Sequence, residues 1–288
     1  MHPIRAGNRA NGEASAGSIG LAIVIRHPVT SAPPPALEAH DPSLALSRVR
    51  VVLLRPEHPG NIGSVARAMA NMGVSDLRLV SPREFPSPVA SAMAAGADLI
   101  LSQAQVVAQL DDALTGCSLV VGATARARTQ QVEPRSPEEA MAELLDPRHA
   151  HVALLFGQES SGLDNDALER CQRVTRIPVD AAFSSLNLAA AAAVLLYELR
   201  RQALAQTPAS APVAETSSSG SRPATADELR HLVDHLHRVV ERSLGDPERS
   251  ATVIKKLTRL MNRAAPEHGE VQLIRGLLSA TEAGGSER

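Results

Sequence analysis

The run His151-Val152-Ala153-Leu154-Leu155-Phe156-Gly157-Gln158-Glu159-Ser160-Ser161-Gly162-Leu163 decides the fold class. Its apolar half shows no polar alternation, which reads as a strand buried on both faces, the mark of a parallel sheet covered by helices. A glycine-bounded loop follows. Asp164-Asn165-Asp166-Ala167-Leu168-Glu169 then reads as a capped helix. Loops at the carboxyl ends of parallel strands are where α/β sheets bind ligands. The two glycines permit close backbone approach, and between them stand one carboxylate, Glu159, and two hydroxyls, Ser160 and Ser161.

The same strand-then-helix rhythm extends on both sides. Arg48 to Leu54 is an apolar strand. Asn61 to Gly73 is a helix with a buried face of Ile62, Val65, Ala66 and Met69 and a polar stripe of Ser64, Arg67 and Asn71. Leu77–Val80, Ser118–Gly122 and Val174–Ile177 read as further strands. Val89–Ala95, Val106–Leu114, a segment opened by Ser136-Pro137, and Leu186–Ala205 read as helices. The expected architecture is α/β, a parallel sheet with helices on both faces. Residues 1–46, rich in Gly, Ala, Ser and Pro, are expected to form a disordered extension. Residues 47–205 are then the α/β domain and 206–224 a flexible linker. Residues 225–288 form a small helical module with apolar spacing through Leu229, Leu232, Val233, Leu236, Val239 and Val240.

Composition removes several function classes. With no Trp, one Tyr and three Phe, base stacking has few side chains to use. A net charge of −2 means that any nucleic-acid partner must be met by a local patch. One candidate is Lys255, Lys256, Arg259 and Arg263, of which 255, 259 and 263 share a helix face. Such a row is either a solvated surface or a phosphate grip. Cys117 and Cys171 lack metal-ligand spacing and are expected to be buried, reduced thiols in a cytoplasmic protein. No run approaches the ~18 apolar residues of a membrane span. The chain has no Gly-x-Gly-x-x-Gly after the first strand, no Walker loop, no nucleophile elbow and no metal-binding His pair in the α/β part. Hydride transfer, phosphoryl transfer and metal hydrolysis lose support.

Three segments remain: the loop-helix with Asn61 and Arg67, the glycine loop with Glu159, and Ile177-Pro178 followed by Ser184-Ser185-Leu186-Asn187-Leu188-Ala189. Singly, each has a plain reading as a solvated helix face, a helix-terminal charge or a set of capping residues. In order, they resemble the three motifs of the SpoU/TrmH (SPOUT) RNA 2′-O-ribose methyltransferases. The C-terminal Lys256-Leu257-x-Arg259-Leu260-x-Asn262-Arg263-Ala264-x-Pro266-Glu267 resembles the branch that methylates nucleotide 32 of the tRNA anticodon loop.

The resemblance implies a C-terminal trefoil knot in the α/β domain, a homodimer with a shared active site, tRNA as partner, and neither DNA, membrane nor metal. It implies S-adenosyl-L-methionine as cofactor, held by Ala123, Thr124, Ala125, Gly157, Ile177, Ser185, Leu186 and Asn187. Arg67 corresponds to the family's catalytic arginine. A guanidinium stays protonated, so its role is to fix a phosphate and stabilise a developing alkoxide rather than to act as a base. Asn61, Glu159 and Ser185 complete the expected catalytic set. The chain departs from the family at Gln158, commonly Arg, and at Phe183, often Tyr. Two other readings stay open: a related enzyme for another tRNA or rRNA nucleotide, and a non-catalytic RNA-binding protein.

Overall fold

The computed structural model describes residues 42–125, 133–182, 184–206 and 222–284. The first half runs α1 (Pro42–Leu46), β1 (Val49–Leu54), α2 (Pro59–Met72), β2 (Asp76–Val80), α3 (Pro88–Ala94), α4 (Asp98–Gln103), β3 (Gln105–Val107), α5 (Leu110–Leu114) and β4 (Leu119–Ala123). The second runs α6 (Pro137–Leu145), β5 (Val152–Phe156), α7 (Asn165–Leu168), β6 (Arg173–Thr175), α8 (Leu188–Ala205), α9 (Ala226–Leu244), α10 (Pro247–Ala264) and α11 (His268–Gly284). The strands pair in parallel in the order β3-β2-β1-β5-β4-β6.

β1 and β5 are buried along their whole length, as their unalternated apolar sequence requires. Arg50 is the one charge within β1. It is tolerated because its guanidinium donates to Asp76 at 2.8 Å and to the carbonyls of Ala113 and Thr115 at 2.8 and 2.9 Å. Apolar residues of α2, α6 and α8 share the core on one face of the sheet, and those of α5 and α7 the core on the other. This division positions the site. β1 and β4 lead into α2 and α6 on the first face, whereas β5, which lies between them, leads into α7 on the second. Connections that diverge from adjacent parallel strands open a crevice at their carboxyl ends.

Three expectations on secondary structure are corrected. Val106–Leu114 is not one helix: Gln105–Val107 pairs with Arg78–Val80 at the sheet edge, and only Leu110–Leu114 is helical. Edge pairing overrides the weak helical spacing there. Pro42–Leu46, expected in the extension, forms α1, and its Leu46 is 1% exposed in the core. At the end of the expected linker, Ala224 is buried and its N–H donates to the Pro266 carbonyl at 3.0 Å. Residues 1–41, 207–221 and Phe183 lie outside the described residues.

The helical module packs around Leu229, Leu232, Leu236 and Val271. Its first helix opens with a capping box between Thr225 and Glu228. That end is docked on the turn between α5 and β4. The Ala226 N–H donates to the Cys117 carbonyl at 2.7 Å, and the Gly116 N–H to the Asp227 carboxylate at 2.8 Å. Among the described residues, no helix is long and apolar enough to cross a membrane.

Candidate active site

At the carboxyl end of the sheet lies a cavity of about 320 Å³, at the lower end of the range typical of small-molecule sites. Ala123, Thr124 and Ala125 enter it from the end of β4, and Phe156 to Gly162 from the end of β5. Thr175, Ile177 and Val179 follow from β6, and Ser184, Ser185 and Leu186 from the approach to α8. The expected cofactor residues therefore converge, with one exception. Asn187 does not line the cavity; its side chain caps α8, accepting from the Ala190 N–H at 2.7 Å. Leu188 and Ala191, which sequence reasoning missed, supply apolar wall from the first turn of α8. Their i, i+3 spacing beside the serine pair was the available signal.

The glycine loop explains its own composition. A Cβ on Gly157 would lie 2.2 Å from the Gly162 carbonyl carbon and 2.3 Å from the Leu163 nitrogen, so only hydrogen fits. Gly162 adopts φ 71°, where L side chains are strained, and its N–H donates to the Gln158 carbonyl at 2.7 Å. The loop closes on itself and offers backbone and short polar groups to the cavity. With the apolar Phe156, Ile177 and Leu186 in the same lining, the cavity suits a flat heteroaromatic group with polar edges, such as an adenosine.

Glu159 joins the two sides of the crevice. It accepts from the Glu57 N–H at 2.7 Å, the His58 N–H at 3.3 Å and the Asn61 side-chain amide at 2.9 Å. These donors surround the N-terminus of α2, where His58 at the cap position makes no side-chain cap bond. The carboxylate thus serves the dipole of α2 rather than that of the helix following its own loop. Asn61, Glu159 and Ser185 lie at or beside the cavity. Arg67 does not line it: its side chain is exposed on α2, about 9 Å along the helix axis from Asn61.

The four basic residues of α10 divide. Lys255 and Arg259 pair with Glu169, just beyond α7, at 3.0 and 3.3 Å, and Asn262 donates to the Glu169 carbonyl. Lys256 and Arg263 are exposed. The expected single basic face is therefore partly engaged in holding the module to the sheet domain. Both cysteines are buried and free; burial pushes the Cys117 thiol up to about 11 and the Cys171 thiol up to about 12, which keeps them protonated and inert. Among the described residues, no group of His, Cys, Asp and Glu has the geometry to hold a metal.

Residues 48–197 match the profile of the SpoU rRNA Methylase family. The chain belongs to this SpoU methylase family. Residues 227–288 match the C-terminal domain of the tRNA methyltransferase TrmJ. The chain is 43% identical over 243 residues to the tRNA (cytidine/uridine/adenosine-2′-O-)-methyltransferase TrmJ of Pseudomonas aeruginosa, covering 82% of this chain and 95% of that one. It is 41% identical over 239 residues to the tRNA (cytidine/uridine-2′-O-)-methyltransferase TrmJ of Klebsiella pneumoniae, covering 82% and 97%. The crystal structure of TrmJ from Z. mobilis superposes with a TM-score of 0.69 at 32% identity, covering 81% of this chain and 98% of that one. Two of the three motif segments, the glycine loop and the approach to α8, line one cavity, and the first is tied to it through the Asn61–Glu159 hydrogen bond.

Proposed function

We propose that this chain is an S-adenosyl-L-methionine-dependent tRNA 2′-O-methyltransferase acting on the ribose of nucleotide 32 in the anticodon loop, as a cytoplasmic homodimer with the family's C-terminal knot. The observation that carries the reading is the cavity itself: loops after β4, β5 and β6 and the entry to α8 enclose one apolar slot with polar edges. The relatives named for tRNA ribose methylation, which match both the sheet domain and the C-terminal module, support the substrate.

The cofactor supplies a methyl group already activated on a sulfonium. The chain's residues must hold donor and acceptor in line and manage one proton. Ala123, Thr124, Ala125, Gly157, Ile177, Ser185 and Leu186 would hold the cofactor, with Asn187 keeping the α8 entry in place. Ser185 offers a hydroxyl to the cofactor or the ribose. Arg67 is exposed on α2, which leaves it available to RNA and to a site shared across a dimer. It would grip the neighbouring phosphate and stabilise the developing alkoxide. Asn61 and Glu159 fix the start of that helix. Lys256 and Arg263 would meet phosphates directly, and Lys255 and Arg259 on release from Glu169.

The test is methyl transfer in vitro to unmodified tRNA transcripts carrying each of the four bases at nucleotide 32. The four bases are needed because the names of the two relatives differ in including adenosine. Incorporation at that ribose is expected. Incorporation only at another nucleotide would remove the position-32 assignment, and absence of cofactor binding by calorimetry would favour the non-catalytic reading.

A further inference from the structure

Two carboxylates cross the crevice in opposite directions. Glu159, from the loop after β5, reaches the backbone of the loop after β1. Glu57, from the loop after β1, reaches back. Its Oε1 accepts from the Gln158 side-chain amide at 2.5 Å and from the Ser160 hydroxyl at 2.7 Å. The loops that follow two adjacent parallel strands are therefore clasped reciprocally, each by the other's carboxylate. Gln158, Glu159 and Ser160 line the cavity, whereas Glu57 does not.

The geometry points to Glu57 as a positioning residue for methyl transfer, one that acts through Gln158 and Ser160 to hold the glycine loop over the cofactor cavity. The inference rests on the function proposed above. Gly157 and Gly162 make the loop sharp; within it the Gly162 N–H donates to the Gln158 carbonyl, and the Ser161 hydroxyl donates to the Gln158 side-chain oxygen at 3.3 Å. The Gln158 amide nitrogen and the Ser160 hydroxyl turn instead to a single oxygen on the neighbouring loop. These two bonds also hold the Glu57 carboxyl below the usual carboxylate range, the one from Ser160 most strongly. Because the same segment leads directly into α2, the clasp ties the wall of the cavity to the helix that bears Asn61 and Arg67.

The test compares Glu57→Ala, Glu57→Gln, Gln158→Ala and the double variant Glu57→Ala/Gln158→Ala in the full-length protein. Cofactor affinity is read by calorimetry with S-adenosyl-L-methionine, and loop protection by hydrogen exchange of amides 157–163 without ligand. Both bonds end on one oxygen, so Glu57→Gln keeps an acceptor in place and should stay within about threefold of wild type. Glu57→Ala should weaken cofactor binding about tenfold and speed exchange of the loop amides. In turnover it should raise KM for the cofactor more than KM for tRNA. The double variant should be no worse than Glu57→Ala alone. Cofactor affinity within twofold of wild type for Glu57→Ala, unchanged loop exchange, or additive losses would overturn the inference. Should Glu57→Ala fail to fold, Gln158→Ala/Ser160→Ala carries the same reading with Glu57 intact. If wild type binds the cofactor but leaves tRNA unmethylated, the proposed substrate falls, while calorimetry and exchange still decide the role of Glu57 in holding the loop.

Discussion

Adding one methyl group at Gly157 tests the construction of the cavity. The new Cβ in Gly157→Ala would stand 2.2, 2.3 and 2.4 Å from the backbone of Gly162 and Leu163, more than roughly 1 Å inside the ~3.5 Å of an ordinary carbon contact. Backbone cannot rotate aside as a side-chain tip can, so the turn must open. Loss of the bond from the Gly162 N–H to the Gln158 carbonyl costs about 1 kcal/mol, and overpacking about 1–3 kcal/mol. Restriction of the unfolded chain returns about 0.4–1 kcal/mol. The balance is a destabilisation of about 1–3.6 kcal/mol, or roughly 2–14 °C in melting temperature. The functional loss should be larger, because a wall displaced by about 1 Å can cost on the order of a hundredfold in turnover. Differential scanning fluorimetry and single-turnover methylation of tRNA provide the two readouts. Gly276→Ala is the control: it lies in α11 with nothing within 4 Å of the added carbon, and should be neutral or stabilising by up to about 1 kcal/mol. A Gly157→Ala protein with wild-type melting temperature and wild-type turnover would refute the account of the loop.

Arg67→Ala should lower kcat on tRNA by about 10²–10³-fold while cofactor affinity, measured by calorimetry, stays at the wild-type level; near-normal turnover would remove Arg67 from the reaction. Asn187→Ala should cost about 1 kcal/mol through loss of the α8 cap, seen as a lower denaturant midpoint. Glu228 is held down to about 2, chiefly by its hydrogen bond from Arg222. Its stabilisation is complete above the unfolded carboxyl value and fades as pH falls from about 4.5 toward about 2. The stability gap between wild type and Glu228→Gln should therefore close across that acid window and be constant above it, as urea unfolding at several pH values will show. Replacing both Lys256 and Arg263 by Ala should reduce the slope of log affinity for tRNA against log salt by about 1.4–1.8; an unchanged slope would mean that neither meets a phosphate.

The sheet was legible because its strands are buried on both faces, so Val49–Leu54 and Val152–Phe156 appear as apolar runs that no helix of that length would need. The cavity residues were legible through glycine. Gly157 and Gly162 are constrained by backbone geometry, and backbone geometry leaves its trace at the position itself. What escaped depends on pairs far apart in the chain. Gln105–Val107 is a strand only because β2 lies beside it. The basic face of α10 is divided by Glu169, a residue 90 positions before Arg259 that periodicity cannot place opposite it. The clasp is of the same kind. Glu57 and Gln158 look like ordinary surface residues until the pairing of β1 with β5 sets their loops side by side.

The central place of β5 also governs how the chain is made. The first and fourth strands are synthesised early, but the strand between them arrives last of the three: Val49 and Leu119 both pair with Val152. Until that residue has left the ribosome, β1, β2 and β3 can pair but β4 has no neighbour, because β6 is later still, and the near side of β1 and both sides of β4 stay bare. At about 5–20 residues per second, roughly 100 residues of synthesis divide β1 from its partner, a wait of about 5–20 s that a helical bundle would not face. During that interval the exposed edges invite pairing with other chains, so the growing polypeptide, rather than the finished enzyme, is the form most in need of a chaperone.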